Sequence, residues 1–181
     1  MVHITTNRPV GAFVRLDRGS LYVCTVPLLN GKFHWSLIHI TDGGVATRHH
    51  WAAVGANPRG RETYMQQTLP RGPLTASATQ ILGYFKVTAY QTGDGVVRDP
   101  EGLKEVCKSV FPQSYPTAEE NRQHDMSCRT WVTNVLQGLG IERGQALMVE
   151  QAVTSRSQAC ETRYLRSYLN SEPYQITIDE I

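Results

Sequence analysis

No Cys-x-x-Cys pair occurs among the four cysteines, Cys24, Cys107, Cys128 and Cys160. That absence removes the usual spacing of a structural zinc site, and thiols so far apart do not suggest a disulfide framework. Reduced thiols and a cytoplasmic location are the expectation. No apolar run approaches the ~18 residues that a bilayer-spanning helix needs, so no transmembrane segment is expected. The start of the chain, Met1-Val2-His3-Ile4-Thr5-Thr6-Asn7-Arg8, has no apolar stretch of the secretory kind. Charge of one sign is scarce too. The net charge is +2 with the basic residues scattered, which argues against a nucleic-acid partner. Six histidines are present, but there is no His-x-x-x-His on a helix and no carboxylate cluster, so no metal and no cofactor are expected. Repeats and low-complexity segments are missing. What remains is 181 residues at 40% hydrophobic content, which suits one domain, 1–181, with a real core.

The β-rich segments come first. Ser20 to Val26 is dense in β-formers and stops at Pro27, and Asn30-Gly31 is a hairpin signal. Lys32 to Ile40 follows, then the turn residues Thr41-Asp42-Gly43-Gly44, then a returning strand, Val45 to Trp51. The histidine-bearing strands thus fall within 20–52. Residues 55–80 lack periodicity and read as a long loop, and loops of that length are usually functional or mobile. Ile81 to Gln91 reads as a fourth strand. Asp99-Pro100 opens a helix carrying Leu103, Val106, Cys107 and Val110, and residues 112–126 read as a polar connection. A last helix spans about 146–169, and residues 174–178 suit a short closing strand or an ordered tail. The expected class is α+β: an antiparallel sheet of about four or five strands packed against helices.

Chemistry concentrates at Cys128. Trp131, Val132, Val135, Leu136 and Leu139 recur at helical spacing, and Gly138 and Gly140 end the pattern, so a helix over 127–139 is expected with Ser127 or Asp125 as its cap. Cys128 then sits in the first turn, where free N–H groups and the helix dipole favour the thiolate. On the second strand, His34, Ser36, Ile38 and Ile40 share one face. If the turn sets Ile40 against Val45, His34 falls opposite Trp51. His49 is then its diagonal neighbour, and His50 points away. A bulge would exchange His49 and His50. A thiol, an imidazole and a third polar group that fixes the ring are what thiol acyl transfer requires, with backbone N–H groups at the helix start to hold an oxyanion.

These residues carry a resemblance. His34-Trp35-Ser36-Leu37 resembles the His-Trp-Ala/Ser-hydrophobic strand of the lecithin retinol acyltransferase-like proteins. Ser127-Cys128-Arg129-Thr130-Trp131-Val132 resembles their Asn-Cys-x-x-aromatic-Val helix start. That family is a circularly permuted form of the NlpC-like branch of the papain superfamily. The resemblance implies a permuted papain-like arrangement with Cys128 as nucleophile, His34 as base and His49 as the group that orients it. Ser127 stands where the family has Asn, and the membrane anchor of its lipid-acting members has no counterpart. A soluble substrate is therefore the expectation.

Trp35, Trp51 and Trp131 are expected either in the core or as walls of an apolar pocket, and Arg48 either in solvent or on an anionic substrate group. Three functions fit. One is a cysteine-dependent hydrolase or acyltransferase acting on an amide, ester or thioester of a small molecule or peptide. Another is a small biosynthetic enzyme that condenses or cyclises a metabolite with the same pair. The last is a binding module without turnover.

Overall fold

The computed structural model describes residues 13–28, 31–55, 57–69, 74–75 and 81–181. The main sheet is built from β2 (Ser20–Pro27), β3 (Phe33–Ile40), β4 (Ala46–Ala53), β5 (Glu62–Thr68), β7 (Gly83–Lys86) and β8 (Thr177–Glu180), in the order β5-β4-β3-β2-β7-β8. A separate pair joins β1 (Phe13–Val14) to β6 (Leu74–Thr75). The helices are α1 (Thr88–Thr92), α2 (Pro100–Ser109), α3 (Ala118–Gln123), α4 (Cys128–Gly138) and α5 (Arg143–Leu169). The α+β class stands, but the sheet is mixed and has six strands, because β8 returns parallel to β7. That pairing joins residues almost a hundred positions apart in the chain, and local patterning carries no signal of it.

Alternation explains the layers. Leu21 and Val23 of β2, Trp35 and Leu37 of β3, Trp51 of β4 and Phe85 of β7 form one core with Trp131, Val132, Val135 and Leu136 of α4 and Val149 and Val153 of α5. Each of these large side chains contributes about 1.5–3 kcal/mol by leaving water. Tyr22, Cys24, Ile38, Ile40 and Tyr84 alternate to the other face and form a second cluster with Val14 and Ile176. Thr25 and Ser157 hydroxyls, both buried, bond at 2.9 Å and pin α5 to β2.

Several expectations change. The loop expected over 55–80 contains β5, an edge strand whose last residues, Gln66, Gln67 and Thr68, are exposed and so read as polar. The rest of it lies partly outside the described residues, as does Asn30 of the first hairpin turn. The expected fourth strand stops at Lys86, and α1 follows, with Tyr90 buried and its hydroxyl against His39 Nε2 at 3.3 Å. The connection 112–126 holds α3, closed by a Thr117–Glu120 capping box. α5 begins at Arg143, before the expected 146.

The most consequential change is register. Thr41 N–H bonds to Val45 O at 3.0 Å, Gly44 N–H bonds to Thr41 O at 2.8 Å, and Gly44 takes φ 78°. The turn is therefore a three-residue loop, 42–44, closed by a left-handed glycine, rather than four residues between Ile40 and Val45. Ile40 pairs with Ala46, and Leu37 pairs with His49. A one-residue shift exchanges the faces of every β4 side chain relative to the expectation.

Candidate functional site

Cys128 is the first residue of α4. Ser127 caps the helix: its hydroxyl accepts from Thr130 N–H at 3.1 Å, and Thr130 Oγ1 accepts from Ser127 N–H at 2.9 Å. Asp125 does not cap; it turns the chain at φ 56°, and its carbonyl accepts from the Thr130 hydroxyl at 2.6 Å.

The helix start enters a split in the sheet. β4 pairs with β3 only from Ala46 to His49; beyond that, His50 to Ala53 pair with β5 alone. Continuing the β3–β4 ladder would set Trp35 against Trp51. Instead Cys128 Sγ accepts from Trp35 N–H at 3.5 Å and lies 3.8 Å from Phe33 O. The thiol is thus held by the two peptide groups that flank His34. The backbone donor that the split frees is satisfied by sulfur, as a buried N–H requires.

His34 shares the strand face of Ser36 and Ile38, and its Nε2 meets His50 Nδ1 at 3.0 Å, with the rings edge to face. The hydrogen bonds of the Cys128 thiol go to the backbone beside His34, and among the described residues none joins it to an imidazole ring. The imidazole beside His34 is therefore His50, not His49. His49 is turned to the helix side, buried, with Nδ1 bonded to Tyr64 Oη at 2.8 Å. Tyr64 in turn stacks on Trp131. His49 was placed beside His34 by the four-residue turn; the three-residue loop puts His50 there.

Burial governs the titration of these groups. It pushes the imidazoles of His34 and His49 down to about 4 and that of His50 down to about 3, with the Arg48 charge adding to the effect at His34 and His50. Cys128 is 9% exposed, and burial raises its thiol; the Trp35 N–H and the Arg122 charge pull it back without reversing the sign. The helix start alone was expected to favour the thiolate, but desolvation outweighs it. Burial thus favours the neutral form of the Cys128 thiol and of all three imidazoles.

A buried polar hub braces the approach to Cys128. Glu62, 5% exposed, accepts from Trp51 Nε1 at 3.3 Å and from Asn121 Nδ2 at 2.9 Å. Arg122 grips the same carboxylate with both terminal nitrogens, at 2.7 and 2.6 Å, and also donates to the Met126 carbonyl. This fork ties α3 and the residues before Cys128 to the start of β5. Glu62 lay in the segment read as loop, and nothing local marked it. Asn121 and Arg122 stood in a polar run that gave no hint of their partner.

The three tryptophans belong to the core rather than to an open pocket wall: Trp35 and Trp51 are 2% exposed and Trp131 is fully buried. Trp131 Nε1–H donates to Cys107 O at 3.2 Å, and Trp51 packs edge to face on Phe111. Phe111, Tyr115 and Met126 line a cleft of about 310 Å³ beside the chain leading into Cys128. Arg48, half-buried on the His34 face, carries an Nε with no hydrogen-bond partner. Among the described residues no cluster of His, Cys, Asp or Glu side chains suits a metal ion, and no helix is long and apolar enough to cross a membrane. No family model, curated protein or solved structure matches this chain.

Proposed function

We propose that this chain is a cysteine-dependent hydrolase or acyltransferase acting on an amide, ester or thioester of a soluble small molecule or peptide. Cys128 is the nucleophile, His34 the base and His50 the group that orients it. One observation carries the reading: Cys128 Sγ, at a capped helix start, lies against the peptide groups on either side of His34, whose ring is held at 3.0 Å by His50. In the tautomer where His34 Nε2–H donates to His50 Nδ1, His34 Nδ1 keeps a lone pair for the thiol proton.

In this mechanism His34 takes the proton as sulfur attacks the acyl carbon. The C–S bond forms, the carbonyl π electrons move to oxygen, and N–H groups of the first turn of α4 receive the oxyanion. His34 then returns the proton to the leaving group, whose bond to the acyl carbon breaks, leaving a thioester on Cys128. Water or an acceptor nucleophile, deprotonated by His34, then attacks the thioester carbon; the C–S bond breaks, and the proton on His34 passes to the departing Cys128 sulfur. Because both resting groups are neutral, proton removal accompanies attack instead of preceding it. The arrangement also suits the permuted papain-like reading, with the His strand first and the Cys helix after it.

A second reading, a binding module that keeps the site without turnover, draws support from the burial of Cys128. Incubation with p-nitrophenyl acetate followed by peptide mass mapping separates the two. Turnover predicts a single acetyl group on Cys128, absent in Cys128→Ser and His34→Ala. Acetylation scattered over surface nucleophiles, unchanged in both variants, favours the binding module. Cleaved against joined products from natural-type amides then separates hydrolysis from condensation or cyclisation.

A further inference from the structure

The described cations that are withdrawn from the open surface have partners, with one exception. Lys86 holds Asp17 and Glu180, Lys104 holds Glu101, and Arg156 holds Asp179. Arg48 makes no ion pair and no hydrogen bond with any described residue, and its Nε is buried. A guanidinium loses hydration on entering protein, and that loss is normally offset by a carboxylate or by carbonyl oxygens. Arg48 is half-buried with its Nε out of water, and among the described residues neither partner reaches it.

Register fixes where this lone cation stands. Arg48 pairs with Ile38, so it shares the sheet face with His34, Ser36 and His50, one alternation from the histidine pair. Ser36 is fully buried and faces the thiol of Cys24, its β2 partner. Arg48 Nε is thus the unpartnered donor on this face, beside the His34–His50 contact. Buried polar atoms in folded proteins almost always find partners, so this donor marks a place where something else supplies the acceptor. Among the described residues, the titratable groups that feel the Arg48 charge are Cys24, Tyr84, His34 and His50, and burial holds each of them neutral.

We infer that Arg48 is the anchor for a carboxylate on the substrate, so that the compound transferred or cleaved at Cys128 is an acyl compound or peptide bearing a free carboxylate. The planar fork of a guanidinium matches a carboxylate edge and orients it as well as attracting it. The nature of the substrate rests on the reading of Cys128 and His34 as the reacting pair; the anion site itself does not.

The test is equilibrium binding of succinate to the Cys128→Ser protein, followed through the Arg48 Nε–H and the His34 and His50 ring signals by NMR at pH 7. The expected result is a saturable shift of all three. The shift should be absent with the neutral analogue succinamide, at least tenfold weaker in Arg48→Gln, and partly restored in Arg48→Lys. Three outcomes overturn the inference: no saturable shift with succinate, an equal response to succinamide, or unchanged affinity in Arg48→Gln. Inorganic phosphate binding tenfold more tightly than succinate overturns the carboxylate class. Since Cys128→Ser has no thiol, this result is independent of acylation. Succinate binding in a protein that never acylates Cys128 removes the nucleophile and leaves the anion site. Acylation without succinate binding does the reverse.

Discussion

At the scale of single residues, two adjacent histidines have opposite surroundings. His50 faces His34, and His49 faces Tyr64 and the helix layer. Their substitutions should separate accordingly. His50→Ala removes the group that fixes the His34 ring and should slow acylation of Cys128 by about 10²-fold or more, the usual scale of a lost acid–base contribution, while the fold survives. His49→Ala should leave acylation within a few fold and lower stability by about 1–3 kcal/mol, because Tyr64 Oη loses a partner and a cavity opens beside the Tyr64 ring. Acylation rates and urea denaturation of the two variants measure this. A rate lost in His49→Ala with a silent His50→Ala would restore the four-residue turn and its register. Cys128 shows the same lesson of competing terms: a helix start favours the thiolate, but near-complete burial raises the thiol more.

At the scale of elements, the Gly44 loop decides which histidine enters the site. Gly44 sits at φ 78°, and a Cβ there would also come within 3.3 Å of Arg18 Nε. Gly44→Ala should therefore cost about 1–2 kcal/mol, since a side chain in the left-handed region is strained. Urea midpoints check this, and a neutral or stabilising effect would mean that the loop closes without the positive φ. Much of the architecture was readable in the sequence. β2, β3 and β4 alternate under turn signals; α2 opens with Asp99-Pro100; α4 opens with Ser127 and repeats apolar residues along one stripe. The place of Cys128 in the first turn of α4 and of His34 on β3 follows from those elements alone. What was not readable was set at a distance or by one backbone dihedral. β5 is an edge strand with a polar outer end, α1 and α3 are too short for periodicity, and β8 pairs with a strand almost a hundred residues earlier. The Glu62 hub joins three segments that carry no mutual signal. The choice between His49 and His50 turned on whether the loop held three residues or four.

At the scale of the molecule, burying three histidines in neutral form couples folding to pH. His34, His49 and His50 titrate in the folded protein near 4, 4 and 3, against an ordinary value of 6.5. Between those values the unfolded chain binds protons that the folded chain refuses, so stability rises with pH across the window. Their contribution should be complete above pH 6.5 and should decline as pH falls toward 4. Urea midpoints at pH 7 and pH 5 read it directly; equal midpoints would place these rings in water. On the proposed mechanism the same titration governs the chemistry. The rate of Cys128 acylation by p-nitrophenyl acetate, measured from pH 4 to pH 9, is the most direct test of His34 as a neutral base acting on a neutral thiol. Such a base predicts a rate that rises through about pH 4 to a plateau across neutrality and that collapses in His34→Ala. A rate that climbs only with thiol ionisation above pH 8, and that His34→Ala leaves unchanged, would contradict the Cys128–His34 pair.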